Sequence, residues 1–185
     1  MTRLILIDRD GVINHDSPDY IKTPDEWLPI PGSLEAVGTL KRAGYKVAVC
    51  TNQAGVGRGL IEPAALTAIH QKMTDALARY GTRLDGLIFC PHHPDDQCSC
   101  RKPKPGMLLA MMAQLNAEAE DTWYVGDSIK DAEAAAQAGC RFALVRTGNG
   151  RATESKLHDR GPYLVFDDLS AFAASIGKSC PCCLP

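Results

Sequence analysis

The chain has 185 residues, of which 45% are hydrophobic, and its formal net charge is −2 at pH 7. That length and apolar content are enough for one ordinary domain with a buried core. The slightly acidic balance provides no basic field for nucleic acid, and no apolar run approaches the roughly 20 residues that span a bilayer. The N-terminal apolar segment is also too short for a signal peptide. We therefore expect a monomeric cytoplasmic protein that binds neither nucleic acid nor membranes.

The first apolar run, Leu4–Ile7, ends at Asp8, and Asp10 and Gly11 follow. Such a run is typical of a buried central strand of a parallel sheet, and open α/β sheets bind ligands at the carboxyl ends of their strands. Residues two apart in an extended chain point the same way, so Asp8 and Asp10 can face one small volume. For this pattern alone, a pair of solvated turn residues is as good an interpretation as a binding site.

Strands and helices alternate along the rest of the chain. Ser33 is expected to cap a helix over 34–43, and a strand over 45–50 leads into a glycine-rich loop, 51–59. The later predicted elements are a helix over 63–80, a strand over 87–89, a helix over 106–117, a strand over 122–125, a helix over 130–138, strands over 141–145 and 163–166, and a helix over 169–176. The helix over 106–117 has a predicted apolar face of Leu108, Leu109, Met112 and Leu115.

This alternation predicts a Rossmann-like α/β fold: a doubly wound, mostly parallel sheet in three α/β/α layers, with no large cap domain. We assign residues 1–178 to a single domain and residues 179–185 to a Cys-rich tail. The cysteines of the tail either bind a metal or belong to a frayed end: Cys180, Cys182 and Cys183.

Polar residues cluster where the predicted strands end. They are carboxylates, a hydroxyl, an amide and cations: Asp8, Asp10, Thr51, Asn52, Arg101, Lys102 and Asp127. Carboxylate and carbonyl oxygens are ligands that suit Mg²⁺, which also screens the repulsion between a carboxylate nucleophile and a phosphate. A hydroxyl and a lysine can stabilise charge on a phosphoryl group in transfer. The pattern predicts a Mg²⁺ site that processes a phosphate ester.

A second metal site is predicted in the irregular stretch after the third strand. The pattern C-x-H-x₅-C-x-C places Cys90, His92, Cys98 and Cys100 within eleven residues, a set that binds Zn²⁺ tetrahedrally. His93 is the alternative histidine ligand, and free or disulfide-bonded cysteines are the alternative to zinc. Four protein ligands close the site, so we expect a structural zinc that orients the cations that follow it directly.

The motifs together resemble those of the haloacid dehalogenase superfamily of phosphohydrolases. The resemblance is carried by DRDG at Asp8–Gly11, the strand ending in Thr51, the lysine at Lys102 and GDS at Gly126–Ser128, and it extends over residues 4–145. It implies a Rossmann-like fold and an aspartyl-phosphate mechanism.

By this resemblance Asp8 is the nucleophile, and Asp10 protonates the leaving alkoxide and then activates water. Asp8, the carbonyl of Asp10 and Asp127 hold Mg²⁺, while Thr51 and Lys102 complete the catalytic set. A second carboxyl that alternates between acid and base is also what the chemistry needs.

The loops DRDG, TNQAGVGRG and CPHHPDDQCSCRKPKPGM resemble, more narrowly, superfamily members that act on a small sugar bisphosphate. Histidinol-phosphate phosphatases share similar loops, and polynucleotide 3′-phosphatases need a basic surface that this chain lacks. From a different class, the zinc loop with RKPKP is also compatible with a nucleic-acid or protein-binding module. The resemblance implies substrate contacts from two loops and one cation: Asp16, Ser17, Pro18, Asp19, Asn52, Gln53, Ala54 and Arg101.

Several residues near these motifs remain open at this stage. Arg9, between the two aspartates, adds no obvious chemistry. Lys130 and Asp131 lie one turn past Asp127 and either support the metal or are solvated. Arg58 either contacts substrate or lies on the surface.

Overall fold

The computed structural model describes residues 2–157 and 163–177. Six strands form its sheet: β1 Leu4–Ile7, β2 Lys46–Asn52, β3 Gly86–Cys90, β4 Thr122–Gly126, β5 Arg141–Val145 and β6 Leu164–Phe166. Seven α-helices connect and follow them: α1 Ser33–Arg42, α2 Ala54–Gly57, α3 Pro63–Arg79, α4 Gly106–Leu115, α5 Ile129–Ala138, α6 Gly150–Leu157 and α7 Leu169–Gly177. The predicted Cys-rich tail lies outside the described residues.

The strands pair in the order β3-β2-β1-β4-β5-β6, and every pair is parallel. This is the strand order of the dinucleotide-binding Rossmann sheet, in which the order reverses beside the first strand. β1 therefore lies centrally, and all four of its residues are fully buried. The carboxyl ends of β1 and β4 flank the switch point, where sheets of this type leave a crevice for ligands.

Both faces of the sheet are covered by helices. Ile5 and Ile7 belong to one core with residues of α1, α3 and α7, whereas Leu4 and Leu6 belong to a second core with residues of α4, α5 and α6. Successive residues of β1 face opposite sides of the sheet because side chains alternate with a period of two in an extended chain. The three-layer prediction is thus confirmed, and the described residues contain no inserted cap domain.

Two local predictions are wrong. Ser33 is the first residue of α1 rather than its cap: Gly32, with φ of +82°, takes the cap position, and the Ser33 hydroxyl donates to the Ile13 carbonyl at 2.6 Å. Leu109 is 47% exposed, whereas Met107 and Met111 are buried in its place. The predicted face is therefore correct at Leu108, Met112 and Leu115 and wrong only at Leu109, and the two methionines complete it.

The glycine-rich segment is also more regular than expected. β2 continues through Asn52, and Ala54–Gly57 forms the short helix α2 before the chain turns into α3. Helix α6 had no counterpart in the sequence-based assignment. Within the described part of the chain, none of the helices has both the length and the apolar character that crossing a membrane requires.

Candidate active site

Asp8 and Lys102 form the centre of the site. Asp8 follows β1 directly, and its N–H extends the ladder to β4 by donating to the Val125 carbonyl at 2.9 Å. Lys102 is only 2% exposed, and its ammonium lies 2.8 Å from Asp8 Oδ2 and 2.7 Å from Asp131 Oδ1. It also donates to the Tyr124 hydroxyl at 2.7 Å. Three acceptors thus hold the lysine so that its charge faces the nucleophile position.

The carboxylates of the site compete for this one positive charge. Burial raises the pKa of Asp8 to about 8, against the attraction of Lys102 and with repulsion from Asp131 and Asp127. Burial also raises the pKa of Asp127 to about 7, and Asp131 adds repulsion there. For Asp131, burial opposes the charged form, but Lys102 together with hydrogen bonds from Ser128 and Tyr124 lowers the pKa. The site therefore has an excess of negative charge that a divalent cation would neutralise.

The donor set suits Mg²⁺. Carboxylate oxygens of Asp8, Asp127 and Asp131 lie within 4.8 Å of one another. Asp131 already accepts hydrogen bonds at both oxygens, from Tyr124 and Lys102 at Oδ1 and from Ser128 at Oδ2. Asp8 and Asp127 are therefore the better placed pair of hard oxygen ligands, as the resemblance implied. The structure also decides against a solvated Asp131, which is fully buried.

The segment after β5 supports Asp127, and sequence reasoning missed it. The Asn149 N–H donates to Asp127 Oδ2 at 2.7 Å, and its side-chain amide lies 3.2 Å from the same oxygen. Gly148 has φ of +55°, and a Cβ there would lie 2.2 Å from Asp127 Oδ2, so only glycine fits. The polar run Thr147–Asn149 follows the carboxyl end of a strand, which is the same signal that identified the other site residues.

A cavity of about 360 Å³ opens beside Asp8 and Lys102, within the range of small-molecule sites. Several sequence-predicted residues line it: Asp8, Asp10, Asp16, Ser17, Thr51, Asn52, Gln53, Arg101, Lys102 and Asp127. Lys130 also lines it. Pro18 lines an adjacent cavity instead, and Asp19 and Ala54 line neither. Arg58 is exposed and lies away from both.

The Asn52 side chain hydrogen-bonds to the backbone of Lys102. Its side-chain amide donates to the Lys102 carbonyl at 3.1 Å, and its oxygen accepts from the Lys102 N–H at 3.1 Å. Gln53 donates from Nε2 to Thr51 Oγ1 at 3.0 Å and to Asp10 Oδ2 at 2.8 Å. The loop after β2 therefore fixes both the lysine backbone and the predicted acid–base carboxyl.

The four predicted zinc ligands converge. Cys90 Sγ lies 3.5 Å from His92 Nδ1 and 3.6 Å from Cys98 Sγ, and Cys100 Sγ lies 3.2 Å from His92 Nδ1 and 3.5 Å from Cys98 Sγ. These separations are edges of a tetrahedron of the size that zinc with thiolate and imidazole ligands requires. His93 takes a different role, because its Nδ1 accepts from the Asp95 N–H at 3.2 Å.

Replacing Asp131 with asparagine tests the buried charge network. The variant leaves Lys102 with Asp8 as its sole anionic partner. It also turns the N–H groups of the asparagine amide toward side chains that themselves donate hydrogen bonds at this position. We expect the free energy of unfolding to fall by about 3 kcal/mol, the usual cost of breaking a buried pair. Chemical denaturation measures it, with the surface variant Asp75→Asn as control, for which a change within about 0.5 kcal/mol is expected. Equal stability of the two variants would contradict the network.

Comparison with known proteins agrees with this arrangement. Residues 99–172 match the family described as HAD-hydrolase-like. The D-glycero-beta-D-manno-heptose-1,7-bisphosphate 7-phosphatase of Pseudomonas aeruginosa is 49% identical over 94% of this chain and 97% of that protein. The enzyme of the same name from Bordetella bronchiseptica is 47% identical over 94% of this chain and 97% of that protein.

A solved structure is similar over nearly the whole chain. It is the D,D-heptose 1,7-bisphosphate phosphatase of B. bronchiseptica complexed with magnesium and phosphate, with a TM-score of 0.90 and 46% identity. The match covers 95% of this chain and 98% of that one. The superfamily resemblance of the motifs is thereby confirmed, and the chain belongs to the same family as these phosphatases, within the haloacid dehalogenase-like hydrolases.

Proposed function

We propose that this protein is a Mg²⁺-dependent phosphatase that removes the 7-phosphate of D-glycero-β-D-manno-heptose 1,7-bisphosphate and leaves the heptose 1-phosphate. The observation that carries the proposal is the pairing of Asp8 with Lys102 at 2.8 Å, beside Asp127 and a substrate-sized cavity. The names of the relatives support the sugar. A heptose 1-phosphate can be activated by nucleotidyl transfer, which fits a place in nucleotide-heptose biosynthesis for lipopolysaccharide core.

The proposed reaction uses the two aspartates in the roles that the superfamily resemblance implies. A carboxylate oxygen of Asp8 attacks phosphorus, and the bond from phosphorus to the 7-oxygen breaks. Asp10 gives its proton to that oxygen, so the sugar leaves as an alcohol. Asp10 then takes a proton from water as the water oxygen attacks phosphorus, and the bond to Asp8 breaks to release inorganic phosphate.

Lys102 and Thr51 act on the phosphoryl group in both steps. Lys102 is held rigidly by Asp131 and Tyr124, so its charge is preorganised for the equatorial oxygens. Asp8, Asp127 and the carbonyl of Asp10 would hold Mg²⁺. The ion supplies charge neutralisation, which lets an anionic carboxylate approach a phosphate dianion.

The second phosphate has cationic partners at the cavity wall. Nη1 of Arg101 is buried and has no hydrogen-bond partner among the described residues, and Lys130 lines the same cavity. A phosphate that meets both would satisfy the buried nitrogen and orient the sugar with its other end toward Asp8. Asp16 and Ser17, which line the same cavity, supply acceptors for sugar hydroxyls.

We also propose a structural zinc at Cys90, His92, Cys98 and Cys100, and a cytoplasmic location. The five cysteines within the described residues form no disulfide bonds with one another, which suits a reducing compartment. We also propose that the protein acts on a small molecule as a monomer.

A comparison of substrates tests the proposal. Purified protein with Mg²⁺ is assayed for phosphate release from the β and α heptose 1,7-bisphosphates and from histidinol phosphate. We expect kcat/KM for the β heptose bisphosphate to exceed that for histidinol phosphate at least 100-fold, about 2.7 kcal/mol of discrimination by the second phosphate. A preference for histidinol phosphate would overturn the proposed substrate, and EDTA is expected to abolish the activity.

A further inference from the structure

Arg9 is fully buried between the two catalytic aspartates. A buried guanidinium is stable only when its donors are satisfied. Two of them form a bidentate pair with Asp10: Nε lies 3.0 Å from Oδ1, and Nη2 lies 3.0 Å from Oδ2. The third contact joins Nη1 to Nε2 of His70, at 3.1 Å. A series of hydrogen bonds, His70–Arg9–Asp10, therefore connects helix α3 to the predicted acid–base carboxyl.

His70 accepts in this contact, because a guanidinium only donates. Burial, together with the positive charge of Arg9, lowers the pKa of His70 to about 4. The ring is consequently neutral at pH 7, with Nε2 available as an acceptor. It also packs against Phe89 of β3, with ring centroids 5.4 Å apart, so the imidazole is held between a helix and the sheet.

The hydrogen bonds around Asp10 indicate how the contacts from His70 through Arg9 could act in catalysis. The carboxyl is met by four N–H donors: Arg9 Nε and Nη2, Asn14 Nδ2 at 2.9 Å, and Gln53 Nε2 at 2.8 Å. Arg9 and Asn14 are fully buried, whereas Gln53 lines the substrate cavity. Oδ2, which Gln53 contacts at the cavity, is thus the oxygen that can exchange a proton with the leaving oxygen. The bidentate pair with Arg9, which uses both carboxyl oxygens, sets the orientation of the group.

We propose that His70 is a positioning residue for the acid–base step: it fixes the Arg9 guanidinium, and Arg9 aims the Asp10 carboxyl at the leaving oxygen. This inference rests on the proposed phosphatase mechanism and extends it to a residue on α3. Loss of the acceptor should let the guanidinium turn and leave Asp10 misaligned, and a misplacement near 1 Å can cost about 100-fold in rate.

A comparison of substrates with different leaving groups distinguishes this positioning role of His70 from a purely structural one. An alkoxide needs a proton from Asp10 as it departs, whereas p-nitrophenolate departs without one. Moreover, kcat/KM covers only the steps through leaving-group release, so it excludes hydrolysis of the phosphoenzyme. For His70→Leu we expect kcat/KM to fall about 30-fold on the best alkyl phosphate, and less than about threefold on p-nitrophenyl phosphate. For His70→Gln, which keeps an acceptor, both values should stay within about threefold of wild type.

Met73→Ala is the control. Met73 is buried on α3 one turn further on, so the variant loosens the same helix without removing the acceptor. Its kcat/KM values on the two esters should change by the same factor. If His70→Leu does not fold, His70→Asn carries the same expectation, because the shorter amide cannot reach Nη1.

Equal losses of His70→Leu on the two esters, or none, would overturn the inference. The alkyl ester is any that the wild-type protein hydrolyses, so a wrong sugar assignment leaves the test intact. A wild-type protein that hydrolyses no phosphate ester would refute the proposed function, and this inference with it.

Discussion

Replacing Asp8 with asparagine is expected to reduce kcat by about 10⁴-fold or more, as removal of a nucleophile does in enzymes that work through a covalent intermediate. The amide is nearly the same size as the carboxylate, but its oxygen is a poor nucleophile and its nitrogen is not a metal ligand. The amide oxygen would still accept from the Arg9 N–H, which lies 2.8 Å from Asp8 Oδ1, so the loop should keep its shape. Phosphate release from the heptose bisphosphate measures the effect.

The stability of the same variant is the control. Burial and repulsion from neighbouring carboxylates raise the pKa of Asp8 to about 8, so its charge is unfavourable in the folded, metal-free protein. Without metal, the variant is therefore expected to keep a Tm close to that of the wild type at pH 7, because removal of the unfavourable charge offsets the amide group that now faces Lys102. An inactive variant with a lowered Tm would have lost its fold rather than its nucleophile, and retained turnover would contradict the assignment of Asp8.

The central residues of the site can be predicted from the sequence because they share one feature, a position at the end of an apolar strand. Asp8, Thr51 and Asp127 each follow an apolar run, and parallel strands bring such ends together at one edge of the sheet. Strand runs are easy to recognise because burial on both faces demands near-continuous apolar residues. Asn149 obeys the same rule after β5, but the run Thr147–Asn149 contains none of the motifs on which the resemblance depends.

Arg9, His70 and Ser33 show what the sequence alone does not provide. Arg9 and His70 are separated by 61 positions in the chain, and only the packing of α3 on the sheet brings them to 3.1 Å. Ser33 is a residue type that favours helix caps, but its hydroxyl donates to the distant Ile13 carbonyl, and Gly32 takes the cap position. Long-range packing decides such details, and local propensity is a weak guide to them.

Replacing Cys98 with alanine is expected to remove zinc and weaken catalysis together. The loop from Cys90 to Lys102 contacts the β2–α3 connection at three places: the Cys90 carbonyl accepts from the Gln53 N–H at 2.8 Å, the Pro91 carbonyl accepts from the Gly57 N–H at 2.8 Å, and Lys102 pairs with Asn52. These contacts link the proposed zinc site to residues that hold Asp10 and Lys102, the lysine proposed to bind phosphate. A structural zinc contributes on the order of 10 kcal/mol to the folding free energy of small peptides. Its loss should therefore make the loop mobile.

Metal analysis and kinetics measure the result together. We expect zinc content to fall from about one ion per chain to a small fraction of that, and kcat/KM to fall about tenfold or more through misplaced Arg101 and Lys102. Cys140→Ala is the matched control, because Cys140 is a buried thiol outside the cluster and its variant should keep both zinc and activity. Cys98→Ala protein that lacks zinc but turns over normally would show that the loop only stabilises the fold. Zinc retained by that variant would instead remove Cys98 from the ligand set.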